Sequence, residues 1–252
     1  MIIQQITKDI LVAIADARMH GTMYVTINAI SSYLAGILGV LHARKLGLRW
    51  HNAIIPVVVE RLTTGYIMSV VLWVENGFQP GTIASAPVAY PYIPILAFLV
   101  AKLLRTSWKE VWDAVMPVPL MMFVGARVAC TVAGCCYGYP CSWGIYNVNL
   151  GIYVFPIQLV EALATVLILV AVYRREKRHN FVPDGRNVPI ILISYGTIRF
   201  FLEFFHDNEK IIFGCASTSV HCLIMIAMGL IALWIIRKTE QIEGGAPCAD
   251  IP

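Results

Sequence analysis

The stretch DAVMPVPLMMFVGARVACTVA, residues 113–133, decides the fold of this chain because it is long and apolar enough to cross a membrane. Such a helix needs about 20 predominantly apolar residues. The composition of the whole chain agrees, since 58% of its 252 residues are hydrophobic and 13% are charged. A soluble domain carries roughly 25% charged residues. The sequence therefore predicts an integral membrane protein, and it places an arginine, Arg127, inside this span.

Seven stretches are predicted to cross the membrane, which gives an all-α integral membrane fold of seven transmembrane helices in a single domain, residues 1–238. The spans are Met23–Ala43, Ala53–Val74, Ser85–Leu104, Asp113–Ala133, Ile152–Tyr173, Val188–Phe205 and Thr218–Ile236. An odd number of spans puts the two termini on opposite sides of the membrane.

Lysine and arginine residues set the predicted orientation, because short cytoplasmic loops carry an excess of them. The segments that follow the first, third, fifth and seventh spans hold 13 of the 19 Lys and Arg residues. The opposite side holds three, and the remaining three lie inside spans. We therefore predict that the N-terminus lies outside and the C-terminus lies in the cytoplasm.

The two ends of the chain are predicted to lie outside the bilayer core. Residues 1–21 carry charges and lack a continuous apolar core, so no cleavable signal peptide is expected there. The apolar residues of this segment, Ile6, Ile10, Leu11 and Ile14, recur at helical spacing and predict an amphipathic helix on the outer membrane surface. The polar segment 239–252 contains Gly and Pro and predicts a disordered cytoplasmic tail.

Five of the seven cysteines, Cys130, Cys135, Cys136, Cys141 and Cys215, fall at or near the predicted outer face. A disulfide among the last four is compatible with an oxidising compartment. The spacing of Cys135, Cys136 and Cys141 differs from the C-x2-C pairs that are typical of zinc sites. We therefore predict structural or free thiols at these positions, with a metal site as the minority alternative.

Ionisable residues inside predicted spans are costly in a bilayer and are candidates for function. Arg127 lies about 21 Å along its span from the cytoplasmic end, and Arg199 lies about 17 Å along its own. In a hydrocarbon core about 30 Å thick, both arginines occupy the middle to outer half, where Glu161 is also expected. The full set is Glu60, Arg61, Arg127, Glu161, Arg199 and Glu203.

Two interpretations of these charges remain open. In the structural one, Arg199 pairs with Glu203 four residues later on its own helix, and Glu161 neutralises Arg127. In the functional one, the two arginines at one depth bind a phosphate, which guanidinium groups recognise well, and a phospholipid supplies that phosphate. The small residues around Arg127 are compatible either with close helix packing or with room for a ligand.

Three motifs, in chain order, resemble those of the prolipoprotein diacylglyceryl transferase family. ARVACTVAGCCYG matches the family's Gly-Arg-x-Gly-Asn-Phe-x-Asn-Gly-Glu motif at Arg127 and Gly134, and the following family glycine at Gly138. FPIQLVE matches its His-Pro-Ser-Gln-Leu-Tyr-Glu motif, and YGTIRFFLEFF matches its Tyr-Gly-x-Phe-Arg and Glu-Phe-Phe motifs. The matching positions in these two segments are Pro156, Gln158, Leu159, Glu161, Tyr195, Gly196, Arg199, Glu203, Phe204 and Phe205.

The resemblance implies a phosphatidylglycerol-dependent transfer of a diacylglyceryl group to the cysteine thiol of a prolipoprotein lipobox, with glycerol phosphate leaving. It implies catalytic roles for Arg127 and Arg199, whose charge suits the phosphodiester and the departing phosphate. The expected substrate-binding residues are Gly134, Gly138, Gln158, Glu161, Tyr195, Glu203, Cys130 and His206. The implied partners are phosphatidylglycerol, prolipoprotein signal peptides and the lipid bilayer of the bacterial inner membrane. We expect no cofactor and no nucleic acid.

The sequence departs from the family pattern at several polar positions. The family's His-Gly-Gly segment lies about forty residues before the motif arginine, where this chain has Pro87. Cys130, Ala133 and Cys135 replace two asparagines and a glutamate, and Phe155 replaces the histidine before Pro156. The outer loop between the fourth and fifth predicted spans is also short, which predicts a reduced periplasmic head.

These departures leave the activation of a thiol open. The candidate bases are His206, His20 and His221, although a surface histidine is the simpler interpretation of each. Tyr90 or Tyr195 is a candidate hydrogen-bond donor to the phosphate. Cys130 is interpreted as a small apolar filler, with a reactive thiolate as the alternative.

Besides the transferase, two other functions remain as alternatives. One is a non-enzymatic phospholipid-binding membrane protein on the same fold, which the missing histidine favours, because a fold does not by itself carry a function. The other is a small transporter, which no pair of broken-helix repeats supports.

Overall fold

The structure is a computed structural model that describes residues 2–16, 20–75, 78, 86–206, 211–212 and 215–244. These residues are mostly helical, and they also form two short antiparallel β-hairpins. The helices are α1 Ile2–Asp16, α2 His20–Lys45, α3 Trp50–Glu75, α4 Ala86–Ala89, α5 Ile93–Leu104, α6 Trp108–Val115, α7 Pro117–Ala133, α8 Ile157–Arg178, α9 Asn187–Glu203 and α10 Ser217–Gly244, with a 3-10 turn at Tyr90–Tyr92 between α4 and α5. The strands are β1 Pro140–Asn147, β2 Ile152–Val154, β3 Ile211–Ile212 and β4 Cys215–Ala216.

Within the described residues, six helical segments are long and apolar enough to cross a membrane, so the chain is a multi-pass membrane protein. They are Gly21–Lys45, Trp50–Glu75, Pro87–Leu104, Trp108–Ala133, Ile157–Arg178 and Thr218–Ile242. The remaining predicted span coincides with α9, which has 17 residues and contains Arg199 and Glu203. The count of seven spans and the orientation of the termini therefore stay predictions.

The hairpin formed by β1 and β2 corrects the prediction of an all-α fold. Tyr146 pairs with Tyr153 and Asn147 pairs with Ile152 across it. The fifth predicted span consequently starts too early: Ile152 lies in a strand, and helix α8 begins at Ile157, directly after Pro156. Proline fits that position because N–H groups at the start of a helix have no acceptor within the helix, so the N–H that proline lacks is not needed there.

Two other predicted boundaries also change. The third predicted span contains a break, since a 3-10 turn with Pro91 at its centre separates α4 from α5. Helix α10 continues through Gly244, beyond the predicted start of a disordered tail at residue 239. The rest of that predicted tail, residues 245–252, lies outside the described part of the chain.

Helix α1 forms where the amphipathic pattern predicts it, and it contacts β1. The Gln4 side-chain amide donates hydrogen bonds to the carbonyl oxygens of Ser142 at 3.2 Å and Gly144 at 3.1 Å. Ile6 and Ile10 are more than half exposed, whereas Leu11 is buried. The helix therefore keeps an apolar side uncovered, and its position on the membrane surface stays a prediction.

Helix α7 packs against both α2 and α8. The approach of α2 is close at Gly125, where a Cβ atom would lie 1.8 Å from the Ser31 hydroxyl oxygen. Small residues allow such close contacts between membrane helices. Gly125 therefore serves close packing between α2 and α7. This contact positions the residues near the C-terminal end of α7.

The N-terminal end of α9 is anchored by a buried carboxylate, that of Asp113. Asp113 accepts hydrogen bonds from the backbone N–H groups of Asp184 at 2.8 Å, Gly185 at 2.7 Å and Asn187 at 2.9 Å. These bonds satisfy two N–H donors of the loop before α9 and the N–H of its first residue, which has no partner within the helix. The loop before α9 is thus fixed to α6, which sets the position of the residues that α9 carries.

Candidate functional site

A cluster of four charged side chains forms where α7, α8 and α9 approach each other. Arg127 lies on α7, about 9 Å before the helix ends, and Glu161 lies on α8, about 6 Å after it begins. Arg199 and Glu203 lie on the last turns of α9. All four side chains are buried, with exposed fractions of 7% or less.

Glu161 is the centre of this cluster. Its Oε2 lies 2.8 Å from Nε of Arg127, and its Oε1 lies 3.2 Å from Nε of Arg199. Nη1 of Arg199 lies 2.5 Å from Oε2 of Glu203. Both arginines predicted to share one site therefore contact one carboxylate.

The geometry contains both pairs that the structural interpretation predicts, and it adds a third contact, between Arg199 and Glu161. Two arginines and two glutamates give the cluster no net charge when all four are ionised. Burial of ions is costly unless they are paired, so this balance explains how the helices keep them. The contact with Glu161 involves Nε of Arg127, and a guanidinium has five N–H donors, so this pair leaves donor capacity on Arg127.

Aromatic rings pack around the cluster. The Arg127 guanidinium lies over the Phe123 ring, with its Cζ atom 4.3 Å from the ring centroid. The Tyr195 ring packs edge-on against Phe123, with the ring centroids 5.5 Å apart, and it is tilted against Tyr90 at 5.3 Å. Phe123 lies one turn before Arg127 on α7, which is a helical-spacing signal that the sequence analysis missed.

The two tyrosine hydroxyl groups already have acceptors. Tyr195 Oη donates to Oε1 of Glu161 at 2.8 Å, and Tyr90 Oη donates to the carbonyl oxygen of Pro119 at 3.2 Å. In this arrangement, Tyr195 orients the carboxylate that holds both arginines. Tyr90 belongs to the segment where the sequence lacks the expected histidine, so that segment packs directly on the site.

The chain turns sharply after α7, and two of the predicted glycines permit the turn. Gly134 ends the helix in the left-handed conformation, with φ at 63°. Gly138 forms a β-bridge with His206, and a Cβ atom there would lie 2.7 Å from the carbonyl oxygen of Phe205. These glycines therefore bring the end of α7 against the end of α9.

Asn147 and Asn149 cap this turn, and sequence reasoning missed both. The Asn147 amide donates to the carbonyl oxygen of Gly134 at 3.0 Å, and the Asn149 amide donates to that of Ala133 at 2.9 Å. The last carbonyl groups of a helix have no partner within the helix. The polar turn sequence NVNLG, residues 147–151, is the signal that could have indicated such a cap.

Gln158 connects the first turn of α8 to the same segment. Its amide Nε2 donates to the carbonyl oxygen of Cys135 at 2.7 Å. Its Oε1 atom is buried and has no hydrogen-bond partner within the described part of the chain. Buried acceptors normally have a partner, so this oxygen is a candidate contact for a ligand.

Three cysteine side chains meet at the end of α7. The sulfur atoms of Cys130, Cys135 and Cys136 all lie within 4.8 Å of one another. Hydrogen bonds from Cys130 and Cys135 lower the pKa of the Cys136 thiol, and His206 and the positive charge of Arg127 act in the same direction. This cluster was not expected from the sequence, where the spacing of the cysteines argued against a metal site.

The other predicted cysteine and histidine candidates lie apart from this cluster or outside the description. Cys141 is a free thiol, as are the cluster members Cys135 and Cys136. The side chains of Cys215 and His20 lie outside the described residues. His221 is buried, and its Nε2 lies 2.5 Å from a carboxylate oxygen of Glu75. Of the two proposed bases whose side chains the structure describes, His206 is the one that lies at the end of α7.

The remaining mid-span pair has a structural arrangement. Oε1 of Glu60 accepts a hydrogen bond from the Thr64 hydroxyl at 2.9 Å, and its Oε2 lies 3.7 Å from Nε of Arg61. Both partners of Glu60 lie on its own helix, α3. These contacts stabilise a buried charge locally and do not connect it to Glu161.

The fold and the site together define a multi-pass helical membrane protein with a buried arginine–carboxylate cluster near one end of the bundle. The sequence profile of the prolipoprotein diacylglyceryl transferase family matches residues 92–235, which is more than half of the chain and includes all four cluster residues. The chain belongs to this family.

Two curated relatives are similar to part of this chain. Over 151 residues it is 28% identical to phosphatidylglycerol–prolipoprotein diacylglyceryl transferase 2 of Clostridium perfringens, covering 54% of this chain and 56% of the relative. Over 159 residues it is 30% identical to phosphatidylglycerol–prolipoprotein diacylglyceryl transferase of Idiomarina loihiensis, covering 59% and 57%. The chain thus spans a little more than half the length of the relatives that it matches.

Proposed function

We propose that the chain transfers the diacylglyceryl group of phosphatidylglycerol to the cysteine thiol of a prolipoprotein. The observation that carries this proposal is the convergence of Arg127 and Arg199 on one buried carboxylate, inside the segment that matches the transferase family. The names of the two relatives agree with this substrate and this acceptor.

Arg127 and Arg199 are proposed to bind the lipid phosphate. A guanidinium keeps its charge in a buried site and can bind two phosphate oxygens at once. Both arginines lie about one to two helical turns from the end of the bundle, a depth that a phospholipid headgroup can reach. Because the cluster has no net charge, a phosphate must displace part of the Glu161 or Glu203 contact or use the remaining N–H donors.

Glu161, Glu203 and Tyr195 are proposed to position the arginines. Each contacts an arginine or the carboxylate that holds one, at distances of 2.5 to 3.2 Å. The unpaired Oε1 of Gln158 is proposed to accept a hydrogen bond from a hydroxyl group of the glycerol headgroup. A neutral acceptor that lacks a partner suits a neutral donor such as that hydroxyl.

Gly134, Gly138, Cys130 and His206 complete the proposed substrate-facing set. The two glycines bring the α7 turn close to α9, so the backbone can approach a headgroup. Cys130 follows Arg127 by about one turn, and His206 follows Glu203 by three residues. These residues therefore lie at the same end of the bundle as the arginines.

In the proposed reaction, the acceptor sulfur forms a bond to the glyceryl carbon that carries the phosphate, and the carbon–oxygen bond to the phosphate breaks. The thiol proton is released, the peptide retains a thioether, and glycerol phosphate leaves with the electron pair of the broken bond. Negative charge grows on the departing phosphate, where nearby guanidinium groups stabilise it most. The arginines thus bind this charge more tightly in the transition state than in the lipid.

A transfer assay with purified protein tests this proposal. Phosphatidylglycerol vesicles and a peptide with one cysteine are incubated with the protein, and the mass of the peptide is followed. Arg127→Lys and Arg199→Lys keep a positive charge but lose the planar fork, so each is expected to lower the rate by at least about 100-fold. The matched control Arg186→Lys alters an exposed pair with Glu240 and is expected to retain the rate. A folded wild-type protein that leaves the peptide unmodified would contradict the proposal.

A non-enzymatic phospholipid-binding protein is the second candidate, and one observation favours it. The segment around Pro87, where the family's histidine is missing, contributes Tyr90 to the wall of the site. The site then has phosphate-binding groups without that polar residue. Native mass spectrometry separates the two functions: retained phosphatidylglycerol together with no peptide transfer supports binding alone.

The proposed setting is the bacterial inner membrane, with the arginine cluster near the outer face. The excess of Lys and Arg in the loops at the opposite end of the bundle supports this orientation. A prolipoprotein signal peptide would then reach the site from within the bilayer, from the same leaflet as the lipid.

A further inference from the structure

The turn after α7 folds three thiols onto one point. Gly134 and Cys136 both have left-handed backbone conformations, with φ at 63° and 54°. A non-glycine residue such as Cys136 rarely adopts that conformation. The two left-handed residues turn the chain back over the end of α7, so that Cys135 and Cys136 lie beside Cys130 of the last helical turn.

A fourth donor comes from a distant part of the chain. His206 pairs with Gly138 in a β-bridge, and its ring interacts with the thiol of Cys136. The Nδ1 atom of His206 is buried and has no hydrogen-bond partner within the described residues. The His206 ring therefore lies beside Cys136, outside the group of three sulfur atoms that are mutually within 4.8 Å, and it is the candidate fourth ligand that a side-chain rotation would bring to the site.

We propose that Cys130, Cys135, Cys136 and His206 bind one zinc ion. Three thiolates and one imidazole form one of the ligand sets of tetrahedral structural zinc sites. With a zinc–sulfur bond of about 2.3 Å, neighbouring sulfur atoms in a tetrahedron lie about 3.8 Å apart. The observed limit of 4.8 Å between the three sulfur atoms is close enough for side-chain rotation to close the site.

Charge and access also suit a zinc ion. Three thiolates with Zn²⁺ and a neutral imidazole carry one net negative charge, and Arg127 is close enough to the thiols to stabilise it. Cys130 is buried, whereas Cys135 and Cys136 are partly exposed, so an ion can enter from that side. The ion would join the end of α7 to the end of α9, next to the arginine cluster, and this role does not depend on transferase activity.

Metal analysis of the purified protein tests the site. Cells are grown with added zinc, the protein is purified in detergent under reducing conditions, and zinc is measured per chain by mass spectrometry. We expect about one zinc ion per wild-type chain. Cys135→Ser combined with Cys136→Ser, and separately His206→Ala, should reduce the zinc content strongly. The control Cys141→Ser removes a nearby thiol that is outside the cluster and should retain the metal.

A spectroscopic readout on the wild-type protein covers the case in which a variant does not fold. Cobalt is exchanged into the site, and thiolate-to-cobalt charge-transfer absorption is expected at an intensity that indicates three sulfur ligands. The proposal is overturned if the wild-type protein holds no zinc and gives no such absorption. It is also overturned if the double serine variant retains wild-type zinc content, or if the cysteines purify as a disulfide that reduction does not convert to a metal site.

Discussion

Replacing Glu161 with glutamine removes one negative charge from the buried cluster while keeping the size and shape of the side chain. The carboxylate contacts Arg127 at 2.8 Å and Arg199 at 3.2 Å, and it is 1% exposed. The glutamine oxygen can still accept the hydrogen bond from Tyr195, but the amide group must then face an arginine. The cluster changes from no net charge to one uncompensated positive charge.

The expected cost follows from that uncompensated charge. Removing one partner of a buried ion pair costs about 3–5 kcal/mol. For a chain of this size, each kcal/mol shifts the unfolding midpoint by about 2–4 °C, so the shift is expected to be roughly 6–20 °C. The expected loss of stability is large because Glu161 contacts two arginines instead of one.

Thermal unfolding in detergent measures the effect against a matched control. Glu240→Gln makes the same chemical change in a pair with Arg186, whose side chain is 43% exposed while that of Glu240 is 41% exposed. An exposed pair contributes about 0–1 kcal/mol, so this variant should unfold close to the wild-type midpoint. Equal midpoints for the two variants would refute the role of Glu161 as the centre of the cluster.

A double variant tests the physical reason for the effect. Arg127→Gln combined with Glu161→Gln leaves Arg199 and Glu203 as a balanced pair. Because the double variant restores a neutral cluster, we expect it to be more stable than Glu161→Gln alone. Contacting residues commonly couple by about 0.5–3 kcal/mol. A double variant whose loss equals the sum of the two single losses would contradict this explanation.

Three further predictions concern the packing that holds the site. Gly138→Ala should lower stability by about 1–3 kcal/mol, since its Cβ would meet a backbone oxygen at 2.7 Å, and an unchanged unfolding midpoint would contradict this. Asp113→Asn should cost about 1–3 kcal/mol and speed proteolysis before α9, because asparagine keeps one acceptor oxygen and its NH2 group cannot accept a hydrogen bond from a backbone N–H; wild-type proteolysis would refute it. Gly125→Ala should destabilise the fold, because its Cβ would meet Ser31. Gly36 faces open space, so Gly36→Ala should stabilise its helix by up to about 1 kcal/mol. Thermal unfolding midpoints that shift in the same direction for both variants would contradict this.

Much of the helical bundle could be predicted from apolar length alone. That signal located α2, α3, α7, α8 and α10, because a membrane span needs about 20 apolar residues regardless of its neighbours. It failed at Ile152–Val154, where an apolar strand precedes a helix and hydrophobicity alone cannot distinguish the two. It also missed the break at Pro91, which the proline itself could have indicated.

The charged part of the site was predictable, and its surroundings were not. Arg127, Glu161 and Arg199 stand out in a sequence because charge is rare in membrane helices. The contact between Arg199 and Glu161 depends on how α8 and α9 rotate against each other, which the sequence spacing does not specify. The thiol cluster was missed because it depends on the left-handed turn at Gly134 and Cys136, which the spacing of the cysteines does not specify.

The fate of the lipid phosphorus tests the central claim most directly. Purified protein is added to phosphatidylglycerol vesicles, with and without a peptide that carries one cysteine, and phosphorus nuclear magnetic resonance follows the phosphodiester. If the chain is a transferase, a glycerol phosphate monoester should accumulate in proportion to alkylated peptide, and only when the thiol is present. An unchanged phosphodiester with folded protein and excess peptide, or monoester formed equally without the thiol, would contradict diacylglyceryl transfer.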